Sequence, residues 1–231
     1  ALLRRETAIK ILPIDKADPT MIRMFEREVQ MTCRLQHANT IQVYDYGRAP
    51  DGSFYYAMEY LEGLNLKDLV EKYGAQSESR TIQIMSQVCD SLKEAHQMGL
   101  IHRDIKPANI FLCSRGGLAD FVKTLDFGLV KPITPTNEES LKEETLALSI
   151  TGTPMYMPPE ALENPQSVDE RGDIYSLAAV GFYLLTGRSI FEGGTVMEVC
   201  RKQLTEPVPS ARVLSPDSVS ESMDLILQGA L

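Results

Sequence analysis

The 231-residue chain holds no apolar run long enough to cross a bilayer. Its longest, Leu177 to Leu185, is nine residues with one glycine, and a spanning helix needs about 20. It has no cleavable leader pattern, because the N-terminus, Ala-Leu-Leu-Arg-Arg-Glu, turns polar at once. Positive charge is scarce: 23 Lys and Arg against 32 Asp and Glu leave a net charge of −9. A general nucleic-acid or anionic-membrane binder needs the opposite sign. The four cysteines, Cys33, Cys89, Cys113 and Cys200, form no Cys-x-x-Cys pair, which argues against a structural zinc or a disulfide framework and for reduced thiols. His37, His96 and His102 lack the spacing of a zinc-binding helix. No glycine precedes Gly47. What remains is an ordinary globular composition, 43% hydrophobic and 24% charged. A chain of this length buries about 70–75% of its unfolded surface without staples.

The order of patterns predicts an α+β fold in two lobes. Thr7 to Leu12 reads as a buried strand, stopped by Pro13. Helical spacing of Met21, Met24, Phe25, Val29, Met31 and Leu35 follows over 20–36. Strands are predicted over Ile41–Tyr46 and Phe54–Tyr60, separated by the turn Ala-Pro-Asp-Gly-Ser. From Gly63 onward helices dominate: 66–73 behind Asn65, then 77–98 behind Ser77 and before Gly99. Short strands near 109–113 and 121–125 precede a polar Thr/Ser/Glu-rich loop over 130–150. Asp173 to Thr186 is the most apolar helix, with Asp173 a candidate N-cap, and a last amphipathic helix runs over 220–231. The small lobe is therefore 1–62 and the large, mainly helical lobe 63–231, joined at Met58–Gly63. An opening strand with no earlier neighbour and an uncapped last helix predict a chain cut at both ends.

Four polar clusters stand in apolar surroundings. Lys10 sits inside a strand run, either paired and buried or snorkelling from an edge. Glu26, Arg27 and Glu28 follow on the first helix, and the pattern alone does not say which points inward. Ile-His-Arg-Asp-Ile-Lys-Pro-Ala-Asn-Ile at 101–110 packs five polar side chains between apolar ones. Leu-Asp-Phe-Gly-Leu at 125–129 places a carboxylate after a strand. Asp104, Asn109 and Asp126 offer hard oxygen, which suits Mg²⁺.

Taken in order, Ala-Ile-Lys, His-Arg-Asp-Ile-Lys-Pro-Ala-Asn, Asp-Phe-Gly and Gly-Thr-Pro-Met-Tyr-Met-Pro-Pro-Glu resemble the signature set of protein kinases. Lys106 resembles the Ser/Thr-specific branch, and 115–123 with Met-Pro-Pro-Glu is similar to bacterial eukaryotic-type Ser/Thr kinases. The resemblance implies a two-lobed kinase fold, ATP and Mg²⁺ as cofactors, and protein Ser/Thr hydroxyls as acceptors. By the same match Lys10 holds the α- and β-phosphates and pairs with Glu28. Asp126 and Asn109 ligate metal, Asp104 is the catalytic base, and Lys106 steadies the transferred phosphoryl group. Thr153 bonds the catalytic aspartate. Met58 is the gatekeeper, the Glu59 carbonyl and Leu61 amide meet the adenine edge, Ala8 is its roof and Phe111 its floor. Asp173 gains a second role, accepting the backbone N–H groups of the His102-Arg103 turn. Arg103, expected to be buried, calls for an anion, supplied by a phosphate within 130–152, with Thr145 and Thr151 favoured and self-association for autophosphorylation implied.

The phosphate-covering glycine loop that the family carries before the strand lysine is missing here, so weak turnover is expected of these residues alone. The expected localisation is cytoplasmic, with no nucleic-acid or membrane contact in this segment and any membrane anchor outside it. Competing readings are a pseudokinase or scaffolding module, a small-molecule kinase of the aminoglycoside type, and a plain interaction domain. The intact Lys10, Glu28, Asp104, Asn109 and Asp126 speak against the first. The 152–160 segment with His102-Arg103 speaks against the second, and Mg-ATP thermal shift separates the third.

Overall fold

A computed structural model describes residues 5–12, 29–50, 52–127, 154–164 and 167–231. In the small lobe, β1 (Thr7–Leu12), β2 (Val43–Arg48) and β3 (Phe54–Glu59) form an antiparallel sheet in the order β1-β3-β2. Period-two alternation puts Phe54 and Tyr56 into a small core with Val29, while Ile9 and Ile11 stay exposed on β1. Residues 29–32 are helical and 33–36 are not, so the helix expected over 20–36 ends at Thr32; residues 20–28 lie outside the described residues. The predicted start of β2 at Ile41 is two residues early. Ile41 is buried, but its N–H bonds the Thr124 carbonyl at 2.9 Å, outside the sheet.

The large lobe begins with β4 (Gly63–Asn65), a strand not foreseen from the sequence, which pairs with β5 (Ile110–Arg115), itself paired with β6 (Leu118–Thr124). Gly63 is required there: at its φ of +155° a Cβ would stand 1.9 Å from the Leu112 carbonyl oxygen. Helices α1 (Leu66–Tyr73) and α2 (Glu78–Gln97) start at the foreseen caps, with Asn65 accepting from the Asp68 N–H and Ser77 from the Arg80 N–H. Then come α3 (Pro159–Glu163), α4 (Glu170–Thr186), α5 (Val196–Thr205), α6 (Ala211–Leu214) and α7 (Glu221–Ala230).

Helix α4 is the axis of the lobe. It is apolar on all sides because it is buried on nearly all sides. At Gly181 the α2 side chain of Met85 comes so near that a Cβ would lie 2.5 Å from its sulfur. The N-cap of α4 is Asp169, not Asp173: the Asp169 side chain accepts the Arg171 N–H, and Asp173 lies inside the first turn. That frees Asp173 for other work.

Two features tie the lobes together. The 39–41 segment runs beside β6, the Thr124 N–H donating to the Asn39 carbonyl at 2.7 Å. The open edge of β6 is also covered: the Gln87 amide of α2 accepts the Val122 N–H at 3.0 Å and donates to the Asp120 carbonyl at 3.0 Å, and Asn39 Nδ2 donates to the Val122 carbonyl at 2.8 Å. Glu94 of α2 does the same for the turn after the first helix, its carboxylate accepting the N–H groups of Gln36 and His37. Between them these bonds fix where β6 ends, and therefore where Asp126 begins.

Candidate active site

Asp173 organises the site from below. Its carboxylate is 1% exposed. Oδ1 accepts the Arg103 N–H at 2.8 Å, and Oδ2 accepts both the His102 N–H and His96 Nε2–H at 2.8 Å. A buried charge demands such partners. The bonds hold Arg103 at φ +60°, a left-handed conformation uncommon for any residue but glycine. The sequence expectation for Asp173 as acceptor of this turn agrees with the geometry. The expectation that Arg103 is buried does not: its side chain is exposed, since Asp173 is satisfied by the backbone N–H of this turn and not by the guanidinium.

His102 links the His-Arg-Asp turn to the segment that precedes Asp126. It is fully buried, and burial pushes its pKa down, so the ring is neutral. One tautomer satisfies both nitrogens: Nε2–H donates to the Leu125 carbonyl at 2.8 Å and Nδ1 accepts the Asp104 N–H at 3.2 Å. Its ring packs against Phe127 at 4.5 Å between centroids. The Asn109 carbonyl, in turn, accepts the Leu125 N–H at 2.8 Å.

Asp104 Oδ2 accepts Lys106 Nζ at 2.8 Å and Asn109 Nδ2 at 3.0 Å, and Asn109 Nδ2 also donates to the Asp104 carbonyl at 2.9 Å. These bonds orient the Asn109 amide with Nδ2 toward Asp104 and Oδ1 on its other side. Asp126, at φ +55°, receives two donors from the small lobe. Lys10 Nζ lies 2.6 Å from Oδ2, and the Tyr56 hydroxyl donates to Oδ1 at 2.5 Å. The pairing partner expected for Lys10, Glu28, lies outside the described residues, as does Thr153.

Toward the lobe connection, Ala8 stands opposite Met58 across β1 and β3, and Phe111 lies on β5 opposite Lys123. Met58, Leu61 and Phe111 are all half-buried. Glu59 is tied from behind: its carboxylate accepts Lys123 Nζ at 2.5 Å and the Gln42 N–H at 2.9 Å, while Lys123, 3% exposed, also donates to the Thr40 carbonyl. A shallow cleft lined by Arg103, Asp104, Lys106, Tyr156, Met157 and Ser176 opens beside Asp104. Its wall is held by Gln203 of α5, whose Nε2 donates to the Pro154 and Met157 carbonyls. Burial raises the Tyr156 phenol well above its usual value.

Sequence reasoning missed Tyr56, Lys123 and Gln203. The first could have been found, since it shares a strand face with Met58 and stands opposite Lys10. Nothing local marks the other two.

The donor chemistry fits Mg²⁺. Asp126 and Asn109 supply hard oxygen, and Asp126 already attracts a cation, the Lys10 ammonium. Among the described residues no three His, Cys, Asp or Glu side chains gather as a metal cage.

Comparison with known proteins agrees with this architecture. The protein kinase domain family model matches residues 3–231. The serine/threonine-protein kinase pkn3 of Myxococcus xanthus is 38% identical over 93% of this chain and 39% of its own length. PknB of Mycobacterium tuberculosis is 36% identical over 99% of this chain and 36% of its own. The chain thus spans under two-fifths of these relatives. Among solved structures, the M. tuberculosis PknI kinase domain superposes with a TM-score of 0.71 at 26% identity, over 97% of this chain and 76% of that one. Rad53 in complex with AMP-PNP gives 0.72 at 26%, over 96% and 53%. Two lobes of this topology, a strand lysine meeting an Asp-Phe-Gly aspartate, and a whole-length match to one sequence family place the chain in the protein kinase domain family.

Proposed function

We propose that this chain is the catalytic domain of a serine/threonine protein kinase, which transfers the γ-phosphate of ATP to protein Ser/Thr hydroxyls. The observation that supports the reading is a pair of linked clusters: Lys10 of the small lobe on Asp126, and Lys106 and Asn109 on Asp104, joined through His102 and the Asn109–Leu125 backbone bond. Residues 1–62 serve as the small lobe and 63–231 as the large one.

Phosphoryl transfer asks little covalent work of the protein and much placement of charge. Asp126 and Asn109 would hold Mg²⁺, which would supply neutralisation of the phosphate oxygens. Lys10 leaves Asp126 for the α- and β-phosphates of the nucleotide, where Glu28 pairs with it. The Glu59 carbonyl and Leu61 N–H read the adenine edge between Ala8 and Phe111, beside Met58. Asp104 accepts the proton of the attacking hydroxyl, and Thr153 bonds it. Lys106, on Asp104 in the absence of nucleotide, steadies the γ-phosphate in flight. The cleft between Asp104 and Tyr156–Met157 receives the acceptor peptide. Arg103, projecting from its turn, is available to a phosphate introduced within 130–152 by a second copy of the protein.

The test is transfer of radiolabelled γ-phosphate to a protein acceptor by the full-length protein. Replacing a general base costs typically 10²–10⁴-fold, so Asp104→Asn lowers the rate at least 100-fold while nucleotide binding persists. An Asp104→Asn variant at the wild-type rate sinks the proposal.

A further inference from the structure

Tyr56 belongs to none of the motifs, yet it touches the metal-binding aspartate. It lies on β3 directly opposite Lys10 of β1 and Tyr46 of β2. Cross-strand neighbours share a sheet face, so the phenol and the ammonium reach Asp126 side by side. Tyr56 is 1% exposed in the small core with Val29 and Phe54. Packing there asks only for an aromatic ring. The hydroxyl must be satisfied to be tolerated, and the acceptor it has is Asp126 Oδ1, at 2.5 Å.

Lys10 and Tyr56 differ in what happens next. The Lys10 ammonium sits on Oδ2 where a metal cation competes for the same charge. Its bond to Asp126 is therefore exchanged when nucleotide and metal arrive. The Tyr56 hydroxyl is neutral and carries no such competition, because an oxygen of a metal-bound carboxylate still has a lone pair for an outer hydrogen bond. Asp126 also needs a permanent restraint. Its backbone at φ +55° is one that aspartate tolerates better than most residues, but a freed carboxylate would still turn about two side-chain bonds.

We infer that Tyr56 is a positioning residue for Asp126: its hydroxyl holds Oδ1 in place so that Oδ2 passes from Lys10 to Mg²⁺ without the carboxylate reorienting. The inference rests on the reading of Asp126 as a metal ligand. Hydrogen-bond partners behind a metal ligand are worth typically 10–100-fold in metal affinity.

The experiment measures binding of a fluorescent ATP analogue to wild-type and Tyr56→Phe protein, with EDTA and across a Mg²⁺ titration, without any turnover. Tyr56→Phe keeps the ring and removes the hydroxyl. The expected result is a Mg²⁺ midpoint raised at least tenfold, with metal-free nucleotide affinity unchanged within twofold. Mn²⁺ binding to the nucleotide complex, followed by electron paramagnetic resonance, weakens in parallel. Tyr56→Met, filling similar volume without a hydroxyl, reproduces the shift. An unmoved Mg²⁺ midpoint in both variants, or an equal loss of metal-free and metal-dependent binding, overturns the role of Tyr56 alone. A wild-type protein whose nucleotide binding ignores Mg²⁺ overturns the assignment of Asp126 and this inference with it.

Discussion

Replacing Asp173 by Asn tests whether one buried carboxylate holds the catalytic turn. The wild-type side chain accepts three hydrogen bonds, two on Oδ2 and one on Oδ1. Asparagine keeps one oxygen and puts an NH₂ in the other place. If the oxygen takes the Oδ2 position, the NH₂ faces the Arg103 N–H. If it takes the Oδ1 position, the NH₂ faces both the His102 N–H and His96. At least one bond to a charged acceptor is lost at a site 1% exposed. Such a bond is worth about 1.5–3 kcal/mol, and a domain of this size loses about 2–4 °C of melting temperature per kcal/mol. Calorimetry of Asp173→Asn is therefore expected to show a fall of about 3–12 °C. Activity should fall further than stability alone requires, because Arg103 at φ +60° directly precedes Asp104 and small misplacements of a reacting group cost up to about 100-fold. His96→Ala removes a donor that is not part of the turn, so its combination with Asp173→Asn should be less than additive in stability. A melting temperature within 1 °C of wild type, or an unchanged phosphotransfer rate, would refute the reasoning.

Two other outcomes follow from the same network. Lys123→Met strands the Glu59 carboxylate, 13% exposed, beside a lysine site 3% exposed. Breaking one side of a buried pair costs about 3–5 kcal/mol, and here the effect should appear as a raised KM for ATP with the peptide KM unchanged; Lys123→Met with Glu59→Gln should recover more than half the stability, and a double variant no better than the single one contradicts this. His102 is neutral in the fold because burial lowers its pKa, while the unfolded chain takes up a proton near the ordinary value of about 6.5. Below that pH the unfolded state binds more protons, so stability is full above it and declines as pH falls, by up to about 1.4 kcal/mol per unit from this one group; urea titrations from pH 7.5 to 5.5 should show a steeper decline for wild type than for His102→Gln.

Most of the elements were legible because each is announced by local chemistry. Asn65 and Ser77 cap where they were expected to, and Gly99 closes the long helix. Errors arose where burial mimicked secondary structure. Ile41 looks like the start of a strand but is buried by a bond to Thr124 across the lobes. Strand β6 begins at Leu118, three residues before the expected start, because Gly116 and Gly117, both at positive φ, make the tight turn of a hairpin. Asp173 looked like a helix cap until Asp169 was seen to hold that post. In the site, the motif residues are named through the family resemblance, whereas Tyr56, Lys123 and Gln203 belong to no motif. Their partners lie 70, 64 and 46–49 residues away, and only tertiary folding decides that the strand aromatic or the helix amide has an acceptor.

The side-chain amide of Gln87 impersonates a neighbouring strand, offering one acceptor and one donor to the rim of β6. A passing chain that tried to zip onto that rim would find its hydrogen-bonding places already taken. The sheet that leads to Asp126 is thus closed to strand addition by a helix amide, which works beside the Arg80–Asp120 ion pair between the same helix and strand.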